Sequence, residues 1–309
     1  MNLGHVWGTS VEKFNCHFCN VCDGYGCIGE MPGMGGPFLS RNFIANCSDW
    51  NDFAKDLESS AQRLEAAREM ASSVKIRLAP MTGAVENVGY AEEEPFYYDL
   101  VTACHKAGVL LGIGDGVPDC KLLYGIDAVK KVGSKAAVFI KPYPDEKIFE
   151  RIEWARPVAE YCGIDIDSSN IATMRNLVHL ERKTPSQLLA VKKELNSKGI
   201  PFVIKGIFLE QDVEMVKEVK PDAVFVSNHG GRVETREGST AAFLKEYASV
   251  LKSNSSELWV DGGIRNHSHL LAAAELGATS VLVGRPFASA LCRAGEKGVA
   301  ELFATIRGL

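Results

Sequence analysis

The stretch PFVIKGIFLEQDVEMVKEVKPDAVFVSNHGGR (201–232) contains one complete strand–helix–strand unit. PFVIK is a short apolar run without alternation, LEQDVEMVKEVK carries a helical period, and AVFVS is a second apolar run. Strands that are apolar on both faces belong to a parallel sheet covered on both sides. Parallel neighbours need a crossover, and the intervening helix supplies it. The unit ends in Ser227-Asn228-His229-Gly230-Gly231-Arg232, a polar run where the chain leaves the sheet.

The same unit recurs on either side. Strands are expected at IRLAP (76–80), VLLGI (109–113), AAVFIK (136–141), CGIDI (162–166), LWVD (258–261) and SVLVG (280–284). Helical patterns fill the gaps, and several end at Gly108, Gly133, Gly199 or Gly277, residues suited to the turn out of a helix. Eight strands alternating with eight helices predict an α/β fold, a (βα)8 TIM barrel over 76–309, in preference to an open doubly wound sheet. Residues 1–75 are expected to form a Cys-rich segment and a helical lead-in. Within the lead-in, 48–71 reads as an amphipathic helix or two, with Ser48 or Asp49 as N-cap.

The 309 residues are 46% hydrophobic and 24% charged, and carry a net charge of -5. An acidic chain without a Lys/Arg run does not suit nucleic acid or an anionic membrane as partner. No apolar stretch approaches the ~20 residues that span a bilayer. The N-terminus lacks a basic segment followed by an apolar core, so a cytoplasmic protein is expected. On that reading the Asn-X-Ser triplets at 46–48, 254–256 and 266–268 are coincidences.

Function in such barrels collects where strands end. Asp261-Gly262-Gly263-Ile264-Arg265 and Gly284-Arg285 follow the last two strands, where barrels often hold a phosphate. Glycines admit backbone N–H groups to the anion, and arginine adds charge-assisted bonds. GIGDG (112–116) lacks the spacing of a dinucleotide fingerprint and is set aside. His229 suits a base working near neutral pH, and Arg232 suits a carboxylate anchor. Lys205 closes an otherwise apolar strand on the same rim, where it either snorkels or meets an anion. Together with Arg265 and Arg285 these residues make a cationic rim on an acidic protein, suited to an anionic cofactor and a small anionic substrate.

Cys16, Cys19, Cys22 and Cys27 are spaced C-x2-C-x2-C-x4-C. The first three are similar to a ferredoxin run, so an iron–sulfur cluster is one reading. Structural zinc and an unliganded segment are the others. Cys47, Cys104, Cys120, Cys162 and Cys292 stand in apolar contexts and are expected in the core.

PFVIKGI, DAVFVSNHGGR, WVDGGIRN, SVLVGRPF and ALCRAGEKGV closely resemble the FMN-dependent α-hydroxy-acid oxidase/dehydrogenase family, to which glycolate and lactate oxidases belong. The resemblance is strong from about 200 to 300 and traceable from APMTG (79–83) onward. It implies FMN as cofactor and oxidation of a small α-hydroxy acid to a 2-oxo acid. Pro80, Met81, Thr82 and Gly83 would run along the flavin, and Lys205 would stand at its N1/O2 edge. His229 would be the base, Arg232 the carboxylate anchor and Asp167 the acid supporting the histidine. Asp261, Gly262, Gly263, Arg265, Gly284 and Arg285 would hold the cofactor's phosphate arm. The chain departs from the family at three places. Lys141 stands where a tyrosine is usual, with Tyr143 two residues on. The loop after the fourth strand is short, leaving Arg175 or Arg182 as its arginine. The cysteine segment replaces an N-terminal helix and its tyrosine. Those departures keep two alternatives open, an isopentenyl-diphosphate isomerase-like flavoenzyme and a non-catalytic flavin/iron–sulfur electron-transfer module. An electron-acceptor protein and a homo-oligomer are the expected partners.

Overall fold

The computed structural model describes residues 40–309 apart from 89, 171–177 and 234. The chain runs α1 (Arg41–Glu58), α2 (Ala61–Ser73), β1 (Lys75–Leu78), α3 (Glu93–Lys106), β2 (Leu111–Gly114), α4 (Cys120–Lys131), β3 (Ala136–Ile140) and α5 (Asp145–Ala155). It continues β4 (Ala159–Asp165), α6 (Pro185–Ser197), β5 (Phe202–Ile207), α7 (Glu210–Val219), β6 (Ala223–Val226) and α8 (Thr240–Lys252). It ends with β7 (Glu257–Val260), α9 (His267–Glu275), β8 (Ser280–Val283) and α10 (Arg285–Arg307).

The strands form one parallel sheet in the order β1-β8-β7-β6-β5-β4-β3-β2. Its ends meet where Leu78 N–H donates to Leu110 O at 2.8 Å and Leu110 N–H donates to Ile76 O at 3.1 Å. The sheet is therefore the expected (βα)8 barrel. Gly112 makes that seam tight, since a Cβ there would lie 2.1 Å from Leu78 O. Close strand packing thus accounts for a glycine of GIGDG. The helices begin where the sequence supplies caps. At α6, for example, Thr184 Oγ1 accepts from Gln187 N–H while Gln187 Oε1 accepts from Thr184 N–H.

Strand alternation turns Ala137, Phe139, Val203, Phe225, Trp259 and Leu282 into the barrel, where they form a separate apolar cluster. The remaining strand faces join the helices in a much larger core. The lower end of the barrel is sealed by charge. The fully buried Arg77 guanidinium forks onto Glu160 at 2.8 and 3.1 Å and lies 4.6 Å from the Trp259 ring. Glu257 accepts from Lys75, Tyr161 and Trp259. Loops, and any chemistry, are left to the upper end.

The lead-in differs from expectation. α1 starts at Arg41 with Ser40 as its cap, well before Ser48 or Asp49, and Ser60 caps α2. A hydrophobic pattern misses the true start because the first buried positions are Asn42 and Asn46, followed by Trp50 at the same spacing. These side chains bind loops of the upper rim. Asn42 Nδ2 donates to Val233 O and Arg236 O, and Gly238 N–H donates to Asn42 Oδ1. Asn46 exchanges two amide hydrogen bonds with Asn228, at 2.8 and 3.0 Å, and accepts from Thr240 N–H. Trp50 Nε1 donates to Gly262 O at 2.7 Å. Asn46 is the first residue of an Asn-X-Ser triplet, and its complete burial suits bonding rather than modification. The cysteine expectation also needs correction. Cys104 and Cys162 are buried, but Cys47, Cys120 and Cys292 keep partial exposure because they lie at helix surfaces.

Removing the Asn46 amide strands a buried amide on Asn228 and the N–H of Thr240. Asn46→Ala should therefore cost about 2 kcal/mol or more in urea unfolding. A loss below roughly 0.5 kcal/mol, the range of ordinary surface changes, would contradict this account.

Candidate active site

Three strand ends supply the floor of the site. Asp165 on β4 pairs in register with Lys205 on β5, and both side chains point inward above the apolar cluster. The Lys205 ammonium donates to Asp165 Oδ1 at 2.6 Å and stands 3.7 Å from Asp167 Oδ1. The single bend after β4 thus sets two carboxylates around one buried lysine. Gly206 permits it, because its φ is +96° and a Cβ there would lie 2.7 Å from the Asp167 carboxyl carbon.

His229 follows β6 in a 3-10 turn over His229–Gly231. Its φ of +57° is unusual for a residue with a side chain. The turn is held by Asn228, whose Oδ1 accepts from Gly231 N–H, and by Ser227 Oγ, which accepts from His229 N–H. Asn46 of α1 in turn holds Asn228. The imidazole is 22% exposed, with Nδ1 3.1 Å from Asp167 Oδ1 and 3.4 Å from Lys205 Nζ. The shorter contact with a carboxylate selects the Nδ1–H tautomer and leaves the Nε2 lone pair as proton acceptor.

The charges agree with that assignment. Burial pushes His229 down to about 4, the Lys205 ammonium adds to this, and Asp167 opposes it. At neutral pH the ring is a neutral base. Burial would raise Asp167, but Lys205 and His229 outweigh it and hold the carboxyl well below its ordinary value. Burial raises Asp165 to about 8, against the pull of Lys205. Lys205 is desolvated too, yet Asp165 and Asp167 hold its ammonium above the ordinary lysine value. One candidate ligand atom from each of Asp165, Asp167 and His229 lies within 4.8 Å of the others, a spacing that metal ligands also have. An ammonium 2.6 Å from Asp165 repels a dication, so the group is suited to proton chemistry.

Around this centre lie the other expected residues. Arg285 Nη2 donates to Gly230 O at 2.7 Å, with its guanidinium 4.3 Å from the Phe43 ring. Arg232 bonds His229 O through Nη1 at 3.4 Å. A Cβ on Gly230 would lie 2.9 Å from Arg285 and 3.6 Å from Arg232, so two guanidiniums converge there. Gly262 and Gly263 have positive φ and pack against α1, where a Cβ on Gly263 would fall 2.0 Å from Asn46 O. Arg265 Nη1 donates to Ile264 O, and its Nη2 lies 4.0 Å from Cys47 Sγ. A Cβ on Gly284 would lie 3.1 Å from Met81 Sδ, which brings the β1 and β8 loops together. Asp261 is buried with Oδ1 unpartnered, and burial raises it to about 6.

The loop Pro80-Met81-Thr82-Gly83 is anchored by a residue that sequence reading missed. Glu93 accepts from Gly83, Ala84 and Val85 N–H at 2.9 to 3.1 Å and from Tyr97 OH. Its signal was the acidic start of a helix directly after the loop. Asp165, one turn of the same motif away from Asp167, was also missed. Arg182 is paired with Asp212 at 3.2 Å. Arg175 and the cysteines Cys16, Cys19, Cys22 and Cys27 lie outside the described residues.

The depressed His229 value has a measurable consequence. The unfolded chain takes the proton first, so the stability due to a neutral His229 is complete above pH ~6.5 and is lost as pH falls toward 4. The unfolding free energy of the unaltered protein minus that of His229→Gln should be flat above pH 7 and decline across that window. A pH-independent difference would rule out the buried neutral base.

Residues 149–308 match the family model described as FMN-dependent dehydrogenase. L-lactate oxidase of Lactobacillus jensenii is 29% identical over 181 residues, covering 56% of this chain and 43% of the oxidase. 4-Hydroxymandelate oxidase of Amycolatopsis orientalis is 40% identical over 103 residues, 33% of this chain and 29% of that enzyme. L-lactate dehydrogenase of Serratia proteamaculans is 41% identical over 106 residues, 34% and 28% of the two chains. The chain thus spans less than half the length of these curated relatives. A crystal structure of mandelate oxidase with benzoyl-formic acid superposes with a TM-score of 0.61 at 21% identity, over 90% of this chain and 89% of the other, which agrees in fold. With its barrel, its strand-end residues and more than half its length in agreement, the chain belongs to the FMN-dependent dehydrogenase family.

Proposed function

We propose that this protein oxidises a small 2-hydroxy acid to the 2-oxo acid with FMN as cofactor. The observation that carries the proposal is a neutral His229 bonded through Nδ1 to an ionised Asp167, beside a protonated Lys205.

The residues present fit FMN. The buried Asp261 Oδ1 and Asp167 Oδ2 lack protein partners and can accept from a bound molecule. Gly230 and Gly284 are places of close approach, and Arg285 and Arg265 follow the ends of β8 and β7, where each would offer a guanidinium to a phosphate. Asp261, Gly262, Gly263, Arg265, Gly284 and Arg285 would hold the phosphate arm, and Pro80–Gly83 would line the ring. FMN, when bound, supplies the two-electron acceptor.

Arg232 holds the substrate carboxylate by its guanidinium and so sets the substrate against His229. His229 Nε2 removes a proton from the substrate, and Asp167 stabilises the imidazolium that results. Lys205 offsets negative charge arriving at the floor. Relatives named oxidases and dehydrogenases favour this reading over the isomerase-like alternative and over a non-catalytic module.

For the electrons' onward route we retain Cys16, Cys19, Cys22 and Cys27 as an iron–sulfur site, with zinc as the alternative. A cytoplasmic setting, an acceptor protein and a homo-oligomer belong to the same proposal.

Anaerobic mixing of FMN-loaded protein with a panel of 2-hydroxy acids should bleach the flavin band. His229→Ala should retain FMN and slow bleaching about 100-fold or more. Bleaching at an undiminished rate in that variant would refute the assignment. Iron and zinc analysis of anaerobically purified protein decides the cysteine reading.

A further inference from the structure

The floor of the site contains a second lysine that the resemblance leaves without a role. Lys141 follows Ile140, which pairs with Ile164, so its neighbour on β4 is Asp165, itself paired with Lys205 on β5. Alternation with Ala137 and Phe139, both inside the barrel, turns Lys141 inward. Three adjacent strands therefore bring lysine, aspartate and lysine to one level. The two lysines differ in what they bind. Lys205 is satisfied by Asp165 and Asp167, whereas the Lys141 ammonium, on a residue only 5% exposed, makes no hydrogen bond or ion pair among the described residues. It feels Asp165 and Asp115 only at longer range. A largely buried ammonium without an anionic partner in contact is costly unless an acceptor arrives with a ligand.

Position selects the ligand. From His229 the order is His229, Lys205, Asp165, Lys141, with His229 3.4 Å from Lys205 and Lys205 2.6 Å from Asp165. In strand order, the Lys205–Asp165 pair lies between Lys141 and the His229 turn that would hold a small hydroxy acid. A flat tricyclic ring is wide enough to cover both lysines. We propose that Lys141 faces the flavin ring and stabilises the negative charge it gains on reduction, as a second lysine beyond Lys205. This rests on the FMN reading above. The field of a reduced ring also favours the charged form of Lys141, which burial disfavours.

The test uses sulfite, which adds to the oxidised ring and leaves negative charge on it, together with the midpoint potential against a reference dye. Lys141→Met, titrated at saturating FMN, should bind sulfite at least about tenfold more weakly. Its potential should fall correspondingly, by ~30 mV per tenfold for a two-electron couple. Lys141→Arg, which keeps the charge, should remain closer to the unaltered protein than Lys141→Met in both measurements. Sulfite affinity within twofold of the unaltered protein in Lys141→Met would overturn the proposal. So would a loss confined to binding of a 2-oxo acid, which would make Lys141 a substrate contact. Failure of the unaltered protein to bind FMN would instead defeat the functional reading itself, and is measured first.

Discussion

The ammonium of Lys205, buried between Asp165 and Asp167, is the contact on which the rest of the upper barrel depends. A lone lysine there would lose its charge, and two lone carboxylates would repel or share a proton. Together they keep Lys205 charged and Asp167 ionised while burial raises Asp165 to about 8, and Asp167 fixes the histidine ring. The same geometry sets the reactivity. His229 is desolvated and faces a cation, which keeps it neutral, while the adjacent anion is ready for the proton it takes up. A buried ionic cluster of this kind is weak evidence for stability and better evidence for chemistry.

That cluster needs a rigid rim. The histidine turn has an unfavourable φ at His229, and such a conformation persists only when its surroundings over-determine it. The restraint comes from α1, through the reciprocal Asn46–Asn228 amides and the Asn42 bonds to the following loop. Trp50 reaches the neighbouring β7 loop in the same way. One helix face therefore ties the base-bearing turn to the glycines expected to hold a phosphate.

The barrel was legible because eight apolar runs of strand length alternate with helices, a pattern that few folds share. His229 and Lys205 were legible because they end strands, where a barrel must expose them, and Asp167 was legible through the family resemblance. What escaped was polar and local. Asn42 and Asn46 are buried, yet they weaken the hydrophobic pattern that marks a buried helix face, so α1 was started too late. Glu93 is the middle of three consecutive glutamates, and only the fold shows its three N–H partners. Asp165 and Lys141 depend on strand register, which no single strand's sequence contains.

The two ends of the barrel use buried charge for opposite purposes. At the lower end the Arg77 fork onto Glu160 and the three donors to Glu257 seal the barrel's charged groups to one another. At the upper end Asp261 Oδ1 and Asp167 Oδ2 keep unused bonding capacity despite burial, and the largely buried Lys141 ammonium has no ion pair among the described residues. The strand backbone is common to both ends, so the difference lies in the side chains placed there. Unspent hydrogen bonding in a buried site costs stability in the empty protein and is recovered only when a ligand supplies the missing partners. Arg77 Nε and Ser280 Oγ are unpartnered toward the lower end as well, so it is the buried carboxylates beside His229, and not unspent bonding alone, that mark the upper mouth as the end built for a ligand.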